Sequence, residues 1–306
     1  MDAVNRLFEE QLAEWELASN NYKALAQVKT KTFEVGGCTY KVQFNPARIT
    51  SSAAKVDPKS IQERKCFLCP ANLPPVQRGV PFKEYYNILV NPFPIFPRHL
   101  TIPDIEHIDQ RIRFRIGDML GLAEALNDYI IFYNGPKCGA SAPDHVHFQA
   151  GNKGFLPIEK EWKYKQMEKI ADYNKASLSY LDDTPRATLV IESDDKHDAV
   201  HLFGTVYEAM ELKPGDDEPM MNILAWYESG KWIICIFPRE LHRPSCYSAE
   251  GDQNILISPA SVDLGGVFIT PLEKDFDKIT ARDISGILSE TCISPDKFQR
   301  LRAAIK

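Results

Sequence analysis

The chain has no run of about 18 apolar residues, so no helix is expected to span a membrane. It has no basic excess: 36 lysines and arginines stand against 42 aspartates and glutamates, a net charge of −6. A general nucleic-acid binder usually carries the opposite balance, so nucleic acid is not an expected partner. A site for a small anionic substrate needs only local positive charge and survives that exclusion. Cysteine is sparse. Seven in 306 residues are no disulfide framework, and an odd number cannot pair fully within one chain. The stretch from Met1 to Gln27 is acidic, without a basic start and an apolar core, so no signal peptide is expected. These absences point to the cytoplasm, where reduced thiols are free to bind metal.

What is present is the patterning of a globular protein, 44% hydrophobic and 25% charged, long enough for two domains or a repeat. Val4, Leu7, Phe8, Leu12, Trp15 and Ala18 fall near helical spacing and predict an opening helix. Phe33–Val35 and Tyr40–Phe44 flank Gly36-Gly37 as a strand pair. Prolines from Pro70 to Pro103 exclude a helix, and Tyr86–Val90 and His99–Ile102 between them read as strands. Asp104 reads as the cap of a long helix reaching Tyr133, broken at Asn134-Gly135-Pro136. The charged run from Lys160 to Ala176 reads as a helical connector with a solvated face. Beyond Pro185 the pattern gives a strand at Thr188–Glu192, a helix at His197–Met210 and a hairpin of Met221–Tyr227 with Lys231–Phe237. A mixed stretch at Ser258–Ile269 and a terminal helix pair over Thr280–Ile305 complete it. Helices mixed with hairpins predict an α+β fold built on an antiparallel sheet. Asn87–Val90 with Phe96-Pro97-Arg98 is echoed by Asn222–Ala225 with Phe237-Pro238-Arg239, which suggests duplication.

The segment His145-Val146-His147-Phe148-Gln149 carries the chemistry. Read as a strand, it puts His145, His147 and Gln149 on one face, with Val146 and Phe148 on the other. A neutral imidazole is a nucleophile near neutral pH, and histidine forms covalent intermediates. Gln149 can donate an amide N–H to a phosphoryl oxygen but cannot supply a proton to a leaving group. That combination suits transfer through a nucleotidyl-histidine better than hydrolysis. A pair of structural histidines on a strand is the plainer alternative.

The run from Asn134-Gly135-Pro136-Lys137-Cys138-Gly139-Ala140-Ser141 into His145–Ala150 resembles the signature of the histidine triad (HIT) superfamily, in its branch ending in Gln. It looks most like GDP-hexose phosphorylases of the GDP-L-galactose type and diadenosine tetraphosphate phosphorylases. Galactose-1-phosphate uridylyltransferases share the His-x-His-x-Gln core. Leu89-Val90-Asn91-Pro92, then Pro97–Pro103, is similar to the superfamily's strand–turn–strand. The resemblance is good over about residues 60 to 155 and loose in the second half. It implies that His147 attacks the α-phosphorus and that Gln149 binds a phosphoryl oxygen. By the same resemblance Asn91 contacts ribose and His99 lies near the nucleotide. Gly139, Ala140 and Ser141 would hold phosphate oxygens, and Lys137 or Lys153 would add charge. The substrates implied are a nucleotide or nucleotide-sugar and a phosphate or sugar phosphate acceptor. A homodimer is expected, since related transferases often pair. The implied architecture is an N-terminal helix and strand pair at 1–45, a catalytic HIT-like half at 46–184 and a second HIT-like half at 185–306.

Cys66-Phe67-Leu68-Cys69 is a Cys-x-x-Cys pair, half of a tetrahedral zinc site, and no thioredoxin-like context favours a redox role. By resemblance to some HIT proteins, His107 and His145 would complete it. Two free thiols, with His107 on a solvated helix, are the alternative. Pro238–Pro244 concentrates Arg239, His242 and Arg243 as either a phosphate or sugar contact or a solvated loop. Cys235 reads as core and Cys246 as loop, and Trp15, Trp162, Trp226 and Trp232 read as packing. Two further functions stay open: a hydrolase of the same fold, which Gln149 argues against, and a non-catalytic nucleotide-binding protein.

Overall fold

The opening helical spacing produces two helices, not one. In the computed structural model, which describes residues 1–165, 167–182 and 184–305, α1 (Asp2–Glu14) and α2 (Glu16–Leu25) are separated at Trp15. Trp15 takes an extended backbone with φ −105° and ψ 97°. The chain turns into β1 (Lys29–Val35) and β2 (Cys38–Phe44), joined through Gly36 and Gly37. Both glycines have positive φ, as a two-residue turn that matches strand twist requires. Short helices α3 (Ile49–Ser52) and α4 (Pro58–Glu63) follow, the second capped by Asp57.

The first strands of the main sheet are β3 (Gly79–Phe82), β4 (Tyr86–Val90) and β5 (His99–Pro103). The long helix expected from Asp104 is absent. Asp104 pairs across to Tyr86, and its carboxylate takes a 2.7 Å ion pair from Arg115. Residues 105–115 are irregular, and only α5 (Ile116–Ala125) is helical. β6 (Tyr129–Asn134) then runs through the centre of the sheet, buried along its whole length. A short run apolar on both faces does not distinguish such a strand from buried helix by periodicity.

After β7 (His147–Asn152) come α6 (Ile158–Tyr164), β8 (Met167–Tyr173) and β9 (Ala176–Leu181). The charged connector is therefore one short helix and a hairpin. Its charge is divided between α6 and an exposed edge strand, β8, where charge is a common device against edge-to-edge pairing. β10 (Leu189–Ser193), α7 (Lys196–Ala209), β11 (Met221–Glu228) and β12 (Lys231–Pro238) follow the sequence expectation closely. The mixed stretch resolves into α8 (Ser261–Leu264) and β13 (Val267–Thr270). Three helices close the chain: α9 (Glu273–Lys278), α10 (Ala281–Thr291) and α11 (Pro295–Ile305). A Thr280–Asp283 capping box starts α10.

The fold is α+β. Ten antiparallel strands form one sheet in the order β3-β4-β5-β7-β6-β11-β12-β10-β9-β8, and β1-β2-β13 form a smaller one. From either edge to the β6/β11 seam the order repeats: three successive strands, then a pair in reversed order. This places β4 opposite β9, and β6 opposite β11. The echo between Asn87–Val90 and Asn222–Ala225 links β4 to β11 and is out of step with that topology, so it is coincidental. The expected boundary at 184/185 falls between β9 and β10, within the second run of strands.

Alternation decides what each sheet face meets. Ile131, Tyr133, Phe148 and Ala150 face a core shared with α1, α5, α7 and α11. Ile130, Phe132, Leu224, Ile233, Cys235 and Phe237 face the other core, with the small sheet and α10. His147 and Gln149 alternate with Phe148 and so lie on this second face. Apolar Ile233 and Cys235 fill it on β12, whereas over β7 it opens into a cleft of about 820 Å³.

Candidate active site

His147 opens β7 at the cleft floor, 4% exposed. Its Nδ1 lies 2.8 Å from the carbonyl of His145, which can only accept, so Nδ1 carries the proton. The Nε2 lone pair is left free. Burial holds the imidazole down to about 4, neutral at physiological pH. The backbone is fixed as well. The His147 N–H donates to Gln110 Oε1 at 2.8 Å, and Gln110 Nε2 donates to the carbonyls of His147 at 3.1 Å and Asn134 at 3.0 Å. No sequence signal marks Gln110, because its segment reads as helix.

Gln149 also lines the cleft. Behind it His99 is completely buried, and its Nε2 meets Gln149 Oε1 at 2.9 Å. The Ile95 N–H donates to His99 Nδ1 at 3.1 Å, so the His99 proton sits on Nε2 and points at the Gln149 carbonyl oxygen. Gln149 therefore turns its amide N–H₂ away from His99. His99 lies one layer behind the cleft surface rather than on it. Burial, with the Arg48 charge adding to it, pushes His99 down to about 3.

The turn between β4 and β5 is held carbonyl by carbonyl. Gln43 donates to Ile95 O at 3.5 Å, Asn45 to Pro94 O at 2.9 Å and Arg48 to Phe93 O at 2.8 Å. From the other side Asn21 of α2 donates to Pro92 O at 2.8 Å, and the Tyr22 hydroxyl donates to His99 O at 3.0 Å. Asn91 lines the cleft. Its side chain bridges Thr101 Oγ1 at 2.8 Å and the Phe93 N–H at 2.9 Å.

The loop after β6 forms another wall through Gly139 and Ser141, while Ala140 is buried beneath them. Gly139 has φ +91°, and a Cβ there would lie 2.6 Å from Ala260 Cβ, so only glycine fits. The Ser141 hydroxyl has no hydrogen-bond partner among the described residues. The second half holds this loop. Asn222 donates to Cys138 O at 2.7 Å and to Asn134 Oδ1 at 2.9 Å, and Ser261 donates to Asn134 Oδ1 at 2.7 Å.

Arg239 organises Asn222 in turn. It donates to Asn222 Oδ1 at 2.5 Å and to the carbonyls of Pro259, Thr291 and Leu241 at 2.9, 2.9 and 3.0 Å. At 2% exposure it is neither a substrate contact nor part of a solvated loop, but a structural tie. Arg243 backs the cleft wall by donating to Ala54 O at 2.9 Å, and half-buried His242 is pushed down to about 4 by burial. Cys235 is core and Cys246 lies half-buried in a loop, as expected.

Two expected contributors do not reach the cleft. Lys137 is committed to Asp216. Lys153 donates to Tyr227 O beyond the far end of β7, roughly 20 Å along the strand from His147. Proximity in sequence misleads here because a strand carries successive residues away from its start.

His145 is not on the strand with His147. It occupies the preceding turn, fully buried, and points to the loop at 66–69. There Cys66, Cys69, His107 and His145 bring one ligand atom each within 4.8 Å of all the others. Cys66 Sγ lies 3.3 Å and Cys69 Sγ 3.6 Å from His145 Nδ1, and Cys69 Sγ lies 3.2 Å from His107 Nδ1. A tetrahedral zinc ion spaces sulfur and nitrogen by roughly 3.5 Å, given its usual bond lengths. His145 Nε2 donates to Asp104 O at 2.8 Å, and Asp144 lies 3.6 Å from His107 Nε2, the outer partners expected of metal-bound histidines. Burial opposes the Cys66 thiolate, but hydrogen bonds from His145 and from the Leu68 and Cys69 N–H groups outweigh it and bring the thiol down to about 6. The donor set therefore fits a metal ion.

Arg48 and Trp15 also line the cleft, although no motif marks Arg48 and Trp15 reads from the sequence as packing alone. Trp15 does pack, at 6% exposure, but at the helix break where it also walls the cleft. Trp162, Trp226 and Trp232 are core. Arg48 lies in a short turn outside the motif-bearing segment, and no spacing relates it to His147.

Residues 7–152 match a family model described as "Domain of unknown function (DUF4922)", and residues 160–306 match one described as "GDPGP1-like, C-terminal domain". No curated protein sequence matches. Among solved structures, the chain is similar to yeast Ap4A phosphorylase Apa2, with TM-score 0.59 at 17% identity over 91% of this chain and 96% of that one. For the complex of that protein with AMP the TM-score is 0.58 at 19% identity, over 93% and 97%. For its complex with Ap4A the TM-score is 0.57 at 17% identity, over 92% and 97%. The chain has the α+β fold of that phosphorylase, and its second half matches the GDPGP1-like model, which agrees with the phosphorylase resemblance drawn from the motif.

Proposed function

We propose that this protein is a nucleotidyltransferase of the phosphorylase type, working through a nucleotidyl-histidine on His147. The carrying observation is the tautomer of His147: with Nδ1–H held by the His145 carbonyl, Nε2 is a buried, neutral lone pair at a cleft floor. Nε2 attacks the α-phosphorus of a nucleoside diphosphate sugar or dinucleoside polyphosphate. The N–P bond forms as the P–O bond to the leaving sugar phosphate or nucleotide breaks, with its electron pair staying on that oxygen. A phosphate leaving group needs no proton, which agrees with a glutamine at position 149. The imidazolium keeps its proton on Nδ1, held by the His145 carbonyl. An acceptor phosphate then attacks the same phosphorus and restores His147.

The amide of Gln149, oriented by His99, and the loop at Gly139–Ser141 are assigned to the phosphoryl oxygens. Stabilising that charge should matter more than proton transfer. Asn91 is assigned to the nucleoside. The GDPGP1-like match favours a GDP-hexose as first donor to test, and the fold shared with Apa2 makes Ap4A the second. Cys66, Cys69, His107 and His145 are assigned to a structural zinc ion, which would tie the turn carrying the His145 carbonyl to the loop at 66–69. The two runs of strands are read as a catalytic half and a second half whose corresponding face is filled.

The test is incubation with labelled GDP-glucose, UDP-glucose, ATP and Ap4A, followed by a search for an acid-labile, base-stable protein label. We expect label with at least one donor, loss of it in His147→Ala, and recovery in His147→Gly with free imidazole. No label and no phosphate-dependent turnover with any donor would sink the transferase reading. Intact labelling of His147→Ala would identify the wrong nucleophile.

A further inference from the structure

Arg48 reaches the cleft from the small sheet, four residues beyond the end of β2. One of its N–H groups is fixed on Phe93 O at 2.8 Å, which aims the guanidinium. Its other N–H groups have no hydrogen-bond partner, and no carboxylate pairs with it, among the described residues. Asp263 shares the cleft, but its two oxygens accept from the Ile269 and Ala260 N–H groups at 3.2 and 2.9 Å. Burial lowers Arg48 only to about 10, so it stays charged at neutral pH. A half-buried guanidinium with free donors and no directly paired carboxylate favours an anion that brings several acceptor oxygens. Lys55 and Arg64 line the same cleft: Lys55 is exposed, and Arg64 is held by Asp144 at 2.5 Å through one nitrogen, its charge already paired although its Nε and other Nη are buried without a partner.

We propose that Arg48 binds the phosphate chain of the substrate, its guanidinium facing phosphoryl oxygens in the cleft that His147 and Gln149 line. The assignment rests on the nucleotidyltransferase reading for the identity of the anion. It also gives the small sheet a function: β2 both supports the turn at 91–98 and delivers the cation. The Phe93 contact makes the guanidinium preorganised, so little ordering is left to occur when phosphate binds.

The test compares nucleotide with nucleoside. Dissociation constants are measured by calorimetry for GMP and guanosine, AMP and adenosine, and UMP and uridine. The proteins are the unchanged chain, Arg48→Lys and Arg48→Gln. Gln can still donate to Phe93 O, so Arg48→Gln removes the charge without orphaning that carbonyl. We expect Arg48→Gln to weaken the best-bound nucleotide about tenfold or more, as for loss of a charged hydrogen bond, and its nucleoside less than about twofold. Arg48→Lys should fall between, and the salt dependence of nucleotide binding should shrink in Arg48→Gln. Equal weakening of nucleotide and nucleoside, or no weakening, overturns the assignment. Binding of no nucleotide by the unchanged chain overturns it together with the transferase reading. Phosphate-dependent binding through Arg48 without a covalent label leaves Arg48 in place and removes only the reaction. A label on His147 with unaltered binding in Arg48→Gln does the reverse.

Discussion

His99 and Gln149 meet side chain to side chain, with His99 Nε2 2.9 Å from Gln149 Oε1 and the far nitrogen of the ring held by the Ile95 N–H. A buried imidazole thus settles which way a glutamine amide points. Turned the other way, Gln149 would present its oxygen to the cleft and repel a phosphoryl group.

His99→Phe keeps the ring volume and removes that control. Transfer should slow roughly 10- to 100-fold, the range of one or two lost hydrogen bonds to a charged group. The loss should fall on kcat more than on KM, because the nucleoside contacts are untouched. His99→Gln, which can supply a donor to Gln149, should recover part of it. An equal change in both constants, with no recovery in His99→Gln, would assign His99 to packing alone.

Metal analysis of protein purified without chelator should find about one zinc per chain, the stoichiometry of a four-ligand site. Cys66→Ser and His107→Ala should lower zinc content, and a strong chelator should lower the melting temperature of the unchanged chain. Protein free of zinc and indifferent to chelator would leave Cys66 and Cys69 as plain thiols.

Glu218 is buried against Tyr133 and the Ile112 N–H, and burial pushes its carboxyl from 4.5 up to about 7 despite those hydrogen bonds. Below pH 4.5 it is protonated folded or unfolded. Between 4.5 and 7 the unfolded chain gives up the proton and the folded chain keeps it, so rising pH favours unfolding. Its contribution to stability is therefore lost as pH rises through that window, by up to about 3 kcal/mol. Glu218→Gln can keep both contacts and should be the more stable protein at pH 8, with little difference at pH 4. Denaturation midpoints at the two values decide it. A gap independent of pH would show that Glu218 does not titrate in this window.

Arg239→Met should destabilise the fold by roughly 3 kcal/mol or more, because Asn222 Oδ1 and several buried carbonyls lose their donor together. Arg239→Lys should not restore it, since one ammonium cannot span acceptors arranged around a planar fork. Thermal melts of the two variants are the measurement. Near-unchanged stability in either one contradicts the tie between Arg239, Asn222 and the loop at 135–141.

Local pattern made much of the site legible. The hairpin glycines, the helix from 196 and the strand alternation of His147, Phe148 and Gln149 depend on neighbours a few residues apart, and all appear where expected. His145 falls outside the strand that its alternation predicts because a period-two pattern cannot show where a strand begins. The stretch from 104 to 133 departs from the helix its sequence predicts because a strand buried on both faces has no periodicity to declare it.

By itself the sequence determined that His147 and Gln149 share a face, that a Cys-x-x-Cys pair is available and that the chain mixes helices with hairpins. Only the tertiary structure decided that His145 turns away to the cysteines, that His99 stands behind Gln149 and that Arg48 enters the cleft while Lys137 and Lys153 do not. The reason is separation along the chain. Arg48 and His147 are 99 residues apart, and their meeting depends on how the small sheet packs over the large one, which no local spacing encodes.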